Sequence, residues 1–176
     1  MILTGTAIAD AVRRGDICLD PFDPSCLNPN SYNYRLGPIL RTDSRETLDP
    51  FESSRTTDHV IPPSGFTLEA NRLYLGNTVE RIGSDKYVPM LIGRSSLGRL
   101  GLFLQISADL GQLGAFHRWT LEIVATQPLR LYSGMIIGQI SFWRTSGRRV
   151  KYSGYYGRRS DPAPCEPLAD RNRHRT

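Results

Sequence analysis

From Ile61 onward the chain alternates between short apolar runs and polar breaks. Residues 66–68, 73–75, 87–92, 102–106, 118–126, 129–132 and 136–143 are rich in branched and aromatic side chains, with Gly, Pro, Asn or Ser between them. Many short strands at close spacing predict a sandwich, jelly roll or barrel. A helical period appears early: over residues 4–14, Ile8, Ala11 and Val12 form one stripe, Thr4 or Thr6 can cap it, and Gly15 stops it. Residues 96–100 suggest a second short helix. Residues 42–59 are polar and aperiodic, which predicts an excursion or flexible loop. From Asp161 the chain turns Pro-rich and basic, as a mobile tail does.

The chain has 176 residues, enough for one domain with a core of its own. We assign 1–160 to a single β domain and 161–176 to a flexible Pro/Arg-rich C-terminal tail or lid. Apolar residues make up 39% and charged residues 22%, ordinary globular values. No apolar run reaches the roughly 18 residues of a membrane span, and the N-terminus lacks a signal-peptide pattern, so a cytoplasmic protein is expected. Cys18, Cys26 and Cys165 show no Cys-x-x-Cys spacing and read as reduced thiols. His59, His117 and His174 form no His-x-Glu pair. The zinc-deaminase signature is therefore missing, and neither zinc nor any other protein-held metal is expected. The net charge of +5 is spread, much of it in Arg148-Arg149, Arg158-Arg159 and the last residues. No basic stripe interleaved with aromatics is present, so nucleic acid is not the expected partner. A small polyanion such as a triphosphate accounts for the same excess, as does solubility.

Two local patterns carry chemistry. In Trp119 to Val124, alternation places Trp119, Leu121 and Ile123 on one face and Thr120, Glu122 and Val124 on the other. A lone strand Glu is usually solvated. If apolar neighbours desolvate Glu122, its pKa rises, which suits a general acid/base. In Gly93-Arg94-Ser95-Ser96, glycine permits close backbone approach, the hydroxyls donate, and Arg94 can fork onto phosphate. The alternative is a plain capped turn, with Ser95 or Ser96 capping the short helix that carries Arg99. No Gly-x-x-x-x-Gly-Lys loop exists.

At these residues the sequence resembles the dCTP deaminase branch of the dUTPase-like superfamily. The similarity runs through Leu19 to Pro24, Asn30 to Gly37, Gly93 to Leu102, Thr120-Leu121-Glu122 and Ser133 to Ile140, and more faintly through Tyr155 to Arg159. It implies a mainly all-β fold, a distorted jelly roll or β-barrel of the dUTPase-like type with the two short helices. It further implies a homotrimer with active sites at subunit interfaces, and metal-free hydrolytic deamination of a cytosine nucleotide with Mg2+ bound through its phosphates. By the same resemblance Glu122 is the general base, Ser95 and the Ala108 carbonyl hold the water, and Arg99 supports the site. Arg94 and Ser96 bind phosphates, while Tyr155 and Arg158 close over the nucleotide.

The departures cluster in one loop, Ser107 to His117. Gln112 stands where the family has the Asp that contacts the sugar and serves dUTP hydrolysis, and an amide is no base. Gly111 stands where a branched residue lies against the sugar, which predicts opened space. Ala115 replaces an aromatic. The default expectation is dCTP to dUTP plus ammonia. Alternatives are deamination of CTP, CMP or a modified cytosine nucleotide in a biosynthetic pathway, a dUTPase-type pyrophosphohydrolase, and a noncatalytic nucleotide-binding regulator.

Overall fold

The structure is a computed structural model that describes residues 1–105 and 108–168, the side chain of Arg158 excepted. Helix α1 spans Gly5–Arg13. Thr4, in an extended conformation, accepts a hydrogen bond from the Ala7 amide and caps it. Ile8 and Ala11 turn fully into the core. Gly15, at φ 73°, takes the left-handed turn that ends the helix.

Eleven strands follow in the described residues: β1 Cys18–Asp20, β2 Tyr32–Arg35, β3 Ile39–Asp43, β4 Thr56–Val60, β5 Phe66–Leu68, β6 Leu73–Gly83, β7 Tyr87–Gly93, β8 Leu102–Leu104, β9 Phe116–Ala125, β10 Leu129–Leu131 and β11 Ile136–Arg144. Helix α2, Ser95–Gly98, links β7 to β8. The largest sheet runs β4-β3-β6-β9-β8, with β1 also on β6; β2-β11-β7 forms a second sheet and β10-β5 a ribbon. All the ladders between these strands are antiparallel. One contiguous core lies between the sheets, with Tyr32, Tyr34, Leu36, Leu40, Leu121, Ile123, Ile140 and Phe142 fully enclosed. Burying each large side chain contributes about 1.5–3 kcal/mol. No helix among the described residues is long and apolar enough to cross a membrane.

The predicted strands beyond Ile61 are present with shifted ends. Three differences matter. Residues 42–59 are not a plain excursion: β3 and β4 pair from Ile39↔Val60 to Asp43↔Thr56, and only the connection between them is irregular. β4 lies at the sheet edge and is almost wholly exposed, so its Thr-Thr-Asp-His pattern gave no apolar signal. β1 and β2 are also strands, short ones at turns. The second helix begins one residue earlier than expected, at Ser95.

Candidate active site

β9 sits between β6 and β8. Leu121 and Ile123 are fully buried on its core face, while Thr120, Glu122 and Val124 are partly exposed on the other, as alternation predicted. Burial pushes the Glu122 carboxyl up from its ordinary value. Its carboxylate has no hydrogen bond or ion pair among the described residues, so desolvation acts unopposed. A carboxylate in that state holds a proton at higher pH than a solvated one and exchanges it nearer neutrality.

The backbone of Glu122 is clamped by Gln105, the residue just beyond β8. Gln105 N donates to the Glu122 carbonyl (3.2 Å). Glu122 N donates to Gln105 Oε1 (2.7 Å). Gln105 Nε2 in turn donates to the Ala108 carbonyl (3.1 Å). Ala108 is thereby tied to the Glu122 strand. Ser107, in the same loop, lies outside the described residues.

The Arg94–Arg99 turn is built on a different sheet. Gly93 ends β7 opposite Gly138 of β11. A side chain at Gly138 would collide with the Tyr34 hydroxyl, 2.1 Å from the Cβ position. That hydroxyl donates to the Ile92 carbonyl (3.1 Å), and Gln139 Nε2 donates to the Gly93 carbonyl (3.5 Å). Three separated sequence motifs thus converge on the root of this turn. Neither serine caps α2: Arg94 is the cap residue and no side chain bonds there. Ser95, Ser96 and Arg99 are exposed, Arg94 half-buried. None of the four makes a side-chain hydrogen bond or ion pair among the described residues, so their donors point to solvent. Among the described residues no hydrogen bond or ion pair joins this turn to Glu122.

The loop from Gly111 to Ala115 corrects one expectation. Gly111 is buried, and a Cβ there would stand 2.6 Å from Pro89 Cγ and 2.7 Å from Trp119 Cη2. The volume a branched residue would fill is occupied by the Trp119 indole, so Gly111 opens no space for a sugar hydroxyl. Trp119 is fixed by its Nε1 donating to the Ile82 carbonyl (3.1 Å) and by a tilted ring contact with His117, centroids 4.4 Å apart. Burial lowers the His117 pKa. Gln112 is exposed on the turn, its carbonyl accepting from Ala115 N (3.4 Å).

The C-terminal segment crosses the sheet face that carries Glu122. Asp58, Arg41, Leu75 and Glu122 lie in one cross-strand row over β4, β3, β6 and β9. Beside that row, Ala163 N donates to Thr120 Oγ1 (3.0 Å) and Asn77 Nδ2 to the Ser160 carbonyl (3.1 Å). Arg41 donates to Asp161 (3.1 Å), to the Pro162 carbonyl (2.6 Å) and to Asp58 (2.6 Å). Arg159 pairs with Asp161 and donates to the Tyr155 hydroxyl (2.8 Å). Arg159 thus ties Tyr155 to the Asp161 that Arg41 holds. The segment from Asp161, expected as a flexible tail or lid, is bound back along 161–168; residues 169–176 lie outside the described residues.

Sequence patterns missed Gln105 and Arg41. Gln105 is the lone amide closing the apolar run from Leu102, a faint signal. Arg41 gave none, because its partners Asp58 and Asp161 are 17 and 120 residues away. Among the described residues no group of three or more His, Cys, Asp or Glu is arranged to hold a metal ion.

Comparison with known proteins shows the family of the chain. A family model described as dCTP deaminase-like matches residues 2–145. The chain is 45% identical over 153 residues to a dCTP deaminase, dUMP-forming, of Clostridium acetobutylicum, covering 87% of this chain and 88% of that protein. It is 45% identical over 147 residues to a dCTP deaminase of Rhodopirellula baltica, covering 84% of this chain and 74% of that one. The crystal structure of 2′-deoxycytidine 5′-triphosphate deaminase from Agrobacterium tumefaciens superposes on 80% of the chain with a TM-score of 0.64 and 22% identity. The chain spans 47% of that structure's length, and the likeness is one of fold. With the matched span running from β1 through β11 and enclosing Glu122, Gln105 and the Arg94–Arg99 turn, the chain belongs to the dCTP deaminase-like family.

Proposed function

We propose that this protein hydrolytically deaminates a cytosine nucleotide, with dCTP as substrate and Glu122 as the proton-transfer group. The observation that carries this reading is the Glu122 carboxyl, desolvated and without a hydrogen-bond partner among the described residues, on a strand to which Gln105 ties the Ala108 carbonyl. A water accepted between them, and by Ser95, gives a proton to Glu122. The resulting hydroxide adds to C4 of the ring as N3 takes the proton. Glu122 then takes the proton of the new C4 hydroxyl and passes it to the amine, so that the C4–N bond breaks, ammonia leaves and the C4 carbonyl forms. Arg94 and Ser96 take the phosphates. Their cationic and hydroxyl donors fit a phosphate chain that brings its own Mg2+, which would offset charge there. By the same family likeness the reading takes the protein as a homotrimer in which neighbouring subunits complete each site. Tyr155 and Arg158 would close over the nucleotide.

The product follows the relatives, whose names specify dUMP, in place of the dUTP expected from the sequence. One observation favours a second reading, release of dUTP: position 112 carries an amide, which cannot activate a water for phosphate cleavage. A ribonucleotide substrate loses its steric ground, since Trp119 fills the space beside Gly111. The experiment is ammonia release from dCTP, CTP and dCMP with Mg2+, with nucleotide products separated by chromatography. Ammonia from dCTP with dUMP and pyrophosphate is the expected result. Ammonia with dUTP selects the second reading. No ammonia from any of the three overturns the deaminase reading.

A further inference from the structure

Gln105 is one of two non-glycine residues at positive φ among those described, at 50°. Side-chain-bearing residues seldom adopt that conformation. The other, Asn71, is of a type that tolerates it in turns. Gln105 is also nearly enclosed, at 8% exposure, so its amide has to be satisfied by protein.

Its hydrogen bonds explain the strain. β8 and β9 pair regularly as Leu102↔Ala125, Phe103↔Val124 and Leu104↔Ile123, so residue 105 falls opposite Glu122. At a hydrogen-bonded position of an antiparallel pair the two residues exchange both backbone hydrogen bonds. Gln105 N does donate to the Glu122 carbonyl. The return bond goes elsewhere: Glu122 N donates to the Gln105 side-chain oxygen at 2.7 Å. The side chain thus replaces its own backbone carbonyl in the ladder. The left-handed turn frees the main chain to leave the strand here without orphaning the Glu122 amide. The other end of the same planar amide then holds the Ala108 carbonyl at 3.1 Å. The partners fix the amide's orientation, because an N–H must face Oε1 and a carbonyl must face Nε2.

Resting on the reading of Glu122 and Ala108 given above, we infer that Gln105 is the positioning residue of the site, fixing the water-holding Ala108 carbonyl relative to the strand that presents the Glu122 carboxylate. It acts through these two groups and needs no contact with the nucleotide. A planar amide with an acceptor at one corner and a donor at the other serves both ends. Glutamate keeps the acceptor for Glu122 N and loses the donor to Ala108; leucine loses both.

The test uses full-length Gln105→Glu and Gln105→Leu beside Glu122→Gln, assayed for ammonia release from dCTP with Mg2+ and followed by thermal melting. Misplacing one reacting group by about 1 Å costs on the order of 10²-fold in rate. Gln105→Glu, which leaves the Glu122 amide satisfied, is expected to lower kcat by about 10- to 100-fold while KM stays within about threefold. Gln105→Leu is expected to lose at least as much. An inactive Glu122→Gln together with a Gln105→Glu enzyme of normal kcat, or one impaired in KM alone, overturns the positioning role. Loss of a cooperative melt in both Gln105 variants makes the residue structural and overturns it equally. A Glu122→Gln enzyme with full activity refutes instead the proton-transfer reading on which the inference rests.

Discussion

Glu122 and Asp161 are carboxylates at the same sheet face, and their surroundings push them in opposite directions. Glu122 is raised by burial alone. Asp161 is lowered, first by its hydrogen bond to Arg159 and also by that to Arg41. The difference lies in how each region is held. The joint at Glu122 is made of neutral hydrogen bonds over fully enclosed Leu121 and Ile123. Its geometry is over-determined, and the carboxylate is left costly to ionise. The C-terminal strap is held by partly exposed ion pairs, with Asp58 and Asp161 each 44% exposed. Such pairs contribute about 0.2–1 kcal/mol each and are screened by salt. One region is built to fix atoms; the other can let go.

The largest effect expected is on turnover. Glu122→Gln should cut kcat by roughly 10²- to 10⁴-fold, with nucleotide binding by calorimetry largely kept. Normal turnover would remove the chemical half of the comparison. Next comes packing beside the joint. Gly111→Ala puts a methyl against Pro89 and Trp119, and overpacking costs about 1–3 kcal/mol, read as a lowered melting temperature. An unchanged melt would show that this loop yields and that space for a sugar can open there. Smaller still, Asp161→Asn should change stability by less than about 1 kcal/mol while making the chain near residue 161 more sensitive to limited proteolysis. High salt should mimic it in the wild type. Salt-insensitive protection would mean that Thr120 and Asn77 hold the strap without the ion pairs.

Acid provides the finest discrimination. For Glu122 the folded state binds its proton more tightly than the unfolded chain, so its contribution to stability is lost as pH rises through the raised value. Glu122→Gln should therefore gain stability over the wild type at neutral pH, with the gap closing as pH falls through the carboxylate range. For Asp161 the sign reverses: its stabilisation is present above the unfolded value and is lost on acidification toward the lowered one. Asp161→Asn should lose its difference from the wild type at low pH. Chemical denaturation of both variants at several pH values tests the opposed signs; parallel curves would refute them.

The strands beyond Ile61, the α1 cap and the two faces of β9 were legible because each is set by neighbours within a few residues. Period-two alternation puts Leu121 and Glu122 on opposite faces of the strand from the sequence alone. The β3–β4 hairpin was not legible, since an exposed edge strand needs no apolar pattern. Gly111 shows the limit of reading one position at a time. The residue looked like a gap, yet Trp119, eight positions on, takes the volume that glycine leaves.

The sequence alone determined which residue types the candidate site has to offer: a carboxylate on an alternating strand, a cationic hydroxyl-bearing turn, and an amide at Gln112. Those follow from side-chain chemistry and local periodicity, which do not depend on distant partners. The tertiary structure decided which groups are tied together. Gln105 reaches both Glu122 and Ala108 only because β8 and β9 pair in one register, and Arg41 meets Asp161 only because the chain returns over β3, β6 and β9. Hydrogen bonds and ion pairs of this kind act over about 3 Å, a distance that closes only once the fold is formed.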